Sequence, residues 1–107
     1  MNVDIEKFIN LSQEELYVAL VPQNEQIAYS KDGIIARGIE IFTNLAEDCK
    51  HDICSEYCKK EKEIKTLIDA VNIVLAVLLA NNYMAEAIVV PFSVLLAKYG
   101  LSKLCNC

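Results

Sequence analysis

Residues 30–53 read SKDGIIARGIEIFTNLAEDCKHDI, and this stretch decides the fold class. At about 100° per residue, Ile34, Ile35, Gly38, Ile39, Phe42, Leu45, Ala46, Cys49 and Ile53 fall within an arc of about 140°. Arg37, Glu40, Asn44, Glu47, Asp48 and His51 lie outside that arc. An apolar stripe of period 3.6 with a polar opposite face predicts an amphipathic helix laid along a core. Ser30-Lys31-Asp32-Gly33 opens it. Gly38 falls inside the stripe, although Gly in a helix interior costs roughly 1 kcal/mol against Ala. Its presence predicts another helix approaching too closely for a side chain.

Toward the N-terminus, Ser12-Gln13-Glu14-Glu15 is a capping box, in which hydroxyl and carboxylate each satisfy an amide at a helix start. Leu16, Ala19 and Leu20 follow, and Pro22 ends the helix. Asn2 to Ile9 suits a preceding helical turn. Residues 22–29 read as a connection, with weak strand character from Ile27 to Tyr29.

Toward the C-terminus, a further helix is predicted to begin between Ser55 and Glu61 and to run to Ala80. Tyr57, Ile64, Leu67, Ile68, Val71, Val74, Leu75, Leu78 and Leu79 share one face, and from Ala70 onward the opposite face is apolar too. A helix apolar all round is buried by its neighbours or by lipid, so this one is expected at the centre. Asn81-Asn82 ends it, because Asn tolerates the left-handed conformation that closes helices. A last helix lies within Met84 to Tyr99, where Pro91 either kinks it or starts a new one. Gly100 suits a C-terminal cap with Leu101 folded back on it. The tail, Ser102 to Cys107, either docks or frays. The expectation is therefore an all-α fold, a small compact bundle of four to five helices forming a single domain over residues 1–107.

The composition agrees. The 107 residues are 54% hydrophobic with three Gly and two Pro, which excludes a disordered chain. The net charge is −5, all of it in residues 1–66; residues 67–107 balance two acids with two bases. Nucleic-acid binding wants clustered cations. The basic group Lys59, Lys60, Lys62 and Lys65 is interleaved with Glu61 and Glu63 and reads as a solvated face. The start, Met1-Asn2-Val3-Asp4-Ile5-Glu6-Lys7, carries acids where a secretory leader has a positive and then an apolar run. A cytoplasmic location is expected, with the five cysteines as thiols.

The chemistry-bearing inventory is thin. No Gly-rich phosphate loop is present, since Gly33 and Gly38 lack the companion residues. Asp69 and Glu86 are lone acids in apolar surroundings, either buried for function or charges at a helix start. If the helix of residues 30–53 continues through residue 58, His51, Cys54 and Cys58 stack within an arc of about 60°. Cys105-x-Cys107 adds two sulfurs, and zinc accepts a tetrahedral Cys/His set. His51, Cys54, Cys58, Cys105 and Cys107 are thus the candidate metal ligands, although the usual zinc spacing is absent and packing or surface thiols are favoured. No cofactor is expected.

The uncharged runs Ala70 to Ala85 and Ala87 to Ala97, of 16 and 11 residues, raise a membrane reading. A spanning helix needs about 20 apolar residues, so buried core helices are favoured over a bilayer-active hairpin. The favoured function is a non-enzymatic protein-interaction module, an adaptor or accessory subunit; size and character suit a component of a microbial conflict or defence system. Its rivals are a membrane-acting helical hairpin of pore-forming or effector type, and a metal-binding or redox-sensing domain. The partner is expected to be another protein or a second copy. The surface expected to meet it is Ile88, Val89, Phe92, Val94, Leu95 and Leu96, with Tyr83 and Tyr99 at the margins, because two wholly apolar helices in so small a bundle leave one with an uncovered face.

Overall fold

A computed structural model describes residues 5–107, and every regular element among them is helical. The elements are α1 (Ile5–Ile9), α2 (Gln13–Leu20), α3 (Gln23–Gln26), α4 (Lys31–Lys60), α5 (Leu67–Asn81), α6 (Glu86–Tyr99) and α7 (Leu101–Leu104), with a 3₁₀ turn at Glu61–Glu63. The all-α class is therefore observed. Where four to five helices were expected there are seven segments among the described residues, of which four reach eight residues or more. Residues 2–4 of the expected N-terminal turn lie outside the described residues.

Local chemistry sets the boundaries. Ser12 accepts from the Glu15 amide, and the Glu15 carboxylate accepts from the Ser12 amide at 2.9 Å, closing the predicted capping box of α2. Residues 22–29 form no strand. The Gln26 amide instead donates to the Val21 carbonyl at 2.9 Å, and Arg37 reaches back to Glu25 at 3.1 Å, so the connection folds onto the start of α4. Ser30 caps α4. This helix does not break near Ser55, because Ile53 to Lys60 contains neither Gly nor Pro. It continues to Lys60, about 45 Å at 1.5 Å per residue, which accounts for the 43 Å long axis of the molecule.

The next helix restarts later than predicted. Thr66 and Asp69 form a second capping box, with the Asp69 carboxylate accepting from the amides of Lys65 and Thr66 at 3.1 and 3.2 Å. Those contacts hold its pKa below the usual carboxylate range, the Lys65 amide contributing most. Asp69 is thus a helix-start charge, and Glu86 opens α6 in an exposed position. Asn82 takes the left-handed conformation, φ 55°, and ends α5 as predicted. Pro91 lies inside α6 without dividing it. Gly100 separates α6 from α7 with a negative φ, and Leu101 packs into the core.

The centre of the core is not α5 but α6. Val89 and every residue from Pro91 to Leu96 are buried, and α1, α2, α5 and α7 all pack against this helix. Its one buried polar side chain, Ser93, donates to the Val89 carbonyl at 2.7 Å and so needs no outside partner. Leu16 and Leu20 of α2 close over it, while Lys98 of α6 donates to the Ile9 carbonyl at 2.9 Å and holds the end of α1. Phe42 of α4 touches both Phe92 and Tyr17, with ring centroids 5.3 and 5.9 Å apart. Gly38 is buried where α2 crosses α4: a Cβ there would meet the Tyr17 backbone.

Candidate functional site

The C-terminal half of α4 carries chemistry on two sides. One side presents Cys54 and Cys58, one turn apart, to the tail beyond α7. Cys105 has extended backbone, which sends side chains two residues apart the same way. Cys54 is joined to Cys105 and Cys58 to Cys107, with Cα separations of 5.2 and 5.5 Å. The expectation of five free thiols is therefore corrected for four of them. The reason is the continuation of α4: it aligns Cys54 with Cys58 opposite a Cys-x-Cys tail of matching spacing. The fifth, Cys49, is buried in the core with its thiol donating to the Leu45 carbonyl at 2.9 Å, and burial pushes its pKa up to about 11.

The metal set does not assemble. Four of its five members are consumed by the disulfides, which leaves His51 exposed on the same stretch of α4 without sulfur partners. Among the described residues no group of three or more His, Cys, Asp and Glu side chains is placed to hold an ion.

The other side of α4 faces α5 across a groove of about 330 Å³. His51, Asp52, Ser55 and Glu56 form one wall; Ala76, Val77, Ala80 and Asn81 form the other. Tyr83 donates its hydroxyl to the Asp52 carboxylate, and this bond, with the burial and charge around it, raises the phenol's pKa. Glu56 lies 3.6 Å from Lys59 and 3.7 Å from Lys60. Asn81 donates to the Val77 carbonyl at 2.8 Å. His51 and Ser55 are one turn apart, yet no hydrogen bond joins them and the nearby Asp52 is held by Tyr83. The linked nucleophile, base and orienting acid that covalent catalysis uses are not assembled here.

Beyond the groove, the outer surface of α5 is open. Ile68, Asn72, Ala76, Leu79 and Ala80 are exposed, and at 100° per residue they span about 120° of the helix. Ala70, Val71, Val74, Leu75, Val77 and Leu78 occupy the opposite arc and are buried. Ile68 and Leu79 are 44% and 41% exposed, and the only charge on α5 is Asp69, at its first turn.

The expected interaction surface on α6 is corrected by the same packing. Val89, Phe92, Val94, Leu95 and Leu96 are at most 3% exposed and fill the core; Ile88 is half-buried beside them. One of two apolar helices does show a face, but it is α5, since the N-terminal helices and α7 wrap α6 instead. The margins fare differently: Tyr83 is half-buried against Asp52, and Tyr99 is exposed. Among the described residues no helix is long and apolar enough to cross a membrane. Comparison of the chain with family models, curated proteins and solved structures finds no match.

Proposed function

We propose that this chain is a non-enzymatic protein-interaction module whose docking surface is the outer face of α5, with the α4–α5 groove beside it. The observation that carries the reading is the arc of Ile68, Asn72, Ala76, Leu79 and Ala80, which is exposed, adjacent and uncharged. Contiguous apolar surface on a small soluble protein marks interaction sites more often than chance. Small side chains at Ala76 and Ala80 let a partner's backbone approach, while Ile68 and Leu79 offer anchors at either end. The occupant we assign is a second copy of the chain, whose α5 would pair face to face about a twofold axis. Two disulfides support an oxidising compartment, in place of the cytoplasm expected from sequence.

Light scattering tests this. The wild type should run heavier than its 12.0 kDa chain mass at micromolar concentration. The double substitution Ala76→Glu, Leu79→Glu should return it to a monomer with unchanged helicity. A wild-type monomer that binds no hydrophobic dye would refute the docking face.

A further inference from the structure

We propose that Cys58–Cys107 is a thiol-exchange site, opened by dithiol reductants while Cys54–Cys105 stays closed. The two bridges join the same two turns of α4 to the same three tail residues, yet their surroundings differ. Cys54 and Cys58 are both half-buried against the main apolar cluster, so the difference lies in the tail: Cys105 is buried within that cluster. Cys107 is exposed at the far end of the tail, so its sulfur is open to attack by a small thiolate without movement of the core. A dithiol supplies the electrons. Its first thiolate attacks the Cys107 sulfur, forming a mixed disulfide and releasing the Cys58 thiolate. Its second thiolate attacks the reductant's own sulfur in that mixed bond and releases the Cys107 thiolate. The reductant leaves as a cyclic disulfide, two electrons have passed to the protein, and the two thiolates take up protons according to pH.

Burial keeps this step apart from loss of the second bridge. While Cys54–Cys105 is closed, the outer bridge completes only a small ring through residues 54–58 and 105–107. The last bridge standing closes a loop of sequence separation 51. Opening a loop of that length releases chain entropy, so the protection of that bridge comes from the core packing of Cys105. The core packing of Cys105 decides which bridge is last. The site thus accepts one reductive or thiolating event, at its outer bridge, without surrendering the attachment of the tail.

Cys49 supplies an internal control, since its buried thiol reacts only when the fold opens. The oxidised full chain is equilibrated in buffers of increasing reduced-to-oxidised dithiothreitol ratio, alkylated with iodoacetamide and mapped by peptide mass spectrometry. Labelling at Cys58 and Cys107 should come first, with Cys54 and Cys105 following at a higher ratio and Cys49 last. The variant Cys58→Ser, Cys107→Ser should keep its helicity and lose only the first step. Simultaneous release of both bridges, earlier release of Cys54–Cys105, labelling of Cys49 in the first step, or loss of helicity in the variant would each overturn the proposal.

Discussion

Gly38→Ala should destabilise the protein even though Ala is the better helix former. A Cβ built at Gly38 lies 2.7 Å from the Tyr17 carbonyl carbon and 2.9 Å from the Tyr17 Cβ, and nearer still to the carbonyl oxygen. The obstacle is mainly backbone, so no rotamer change relieves it. Helix α2 must retreat by about 1 Å, and overpacking of this kind costs about 1–3 kcal/mol. Full detachment of α2 would forfeit the burial of Leu16 and Leu20, both essentially inaccessible, at about 1.5–3 kcal/mol each, which sets the upper limit. Against these stands a gain of about 1 kcal/mol in helix propensity. Because the obstructing atoms are backbone, the upper part of the range applies, and a net loss of about 2 kcal/mol results. With a urea slope of about 1 kcal/mol per molar for a chain of this size, the midpoint should fall by about 2 M. Gly33→Ala is the matched control. Its Cβ meets the Tyr29 Cβ and ring at 3.3 Å and the Ser30 hydroxyl at 3.4 Å, all side-chain atoms of an exposed connection that can shift by a few tenths of an ångström. That midpoint should hold or rise slightly. A Gly38→Ala midpoint equal to or above wild type would refute the close crossing of α2 and α4.

Two further outcomes are expected. Phe92→Glu places a charge where the wild-type ring is wholly inaccessible, so far-UV circular dichroism should show loss of the folded state, not a folded monomer; a folded, soluble variant would mean that α6 is not the core. The capping carboxylates Glu15 and Asp69 both have lowered pKa values, from hydrogen bonds with Ser12 and with the Lys65 and Thr66 amides respectively. A carboxylate depressed in the folded state contributes stability above its unfolded pKa and loses it as pH falls through the folded value. The urea midpoint should therefore drop below about pH 4, and less so in Asp69→Ala; parallel curves for the two proteins would remove Asp69 from the account.

The amphipathic stripe of α4 was legible because periodicity reports directly which face is buried, and Gly38 was legible as an anomaly within that stripe. The capping box at Ser12 and the left-handed stop at Asn82 are local chemistry, so they needed no tertiary knowledge. What sequence could not rank was α5 against α6. Both are apolar all round, and composition says only that one must face outward. The choice follows from where α1, α2 and α7 land, which is long-range packing. A weak signal was present: α5 carries Asn72 and the small Ala76 and Ala80 on the arc that proves exposed, whereas α6 is broken only by Ser93 between Val89 and Leu96. The restart of α5 is set by Thr66-x-x-Asp69, a capping pattern in which the lone acid at Asp69 takes its role from the Thr three residues before it. The disulfides were missed for a related reason. Their pairing depends on α4 running unbroken through Cys58, which the spacing of the cysteines alone does not decide.

The bridges also explain how a helix as long as α4 is held at its far end. Its buried residues are Gly38, Ala46, Cys49 and Ile53, and none lies beyond Ile53. From Cys54 to Lys60 the helix extends past the centre of the core, with half-buried Tyr57 as its largest apolar contact. A helix end without buried side chains frays readily. One crosslink closing a loop of sequence separation 51 stabilises by about 4 kcal/mol in the chain-entropy account. That matches the burial of roughly two leucines. Cys54–Cys105 thus stands in for a core that the short chain does not supply at this point. Ser55 and Glu56 of this segment, with His51 and Asp52 just before it, form the α4 wall of the groove. The inner bridge therefore holds the shape of that wall, whereas the outer one, a turn further along and bound to the exposed Cys107, can open with the wall still in place.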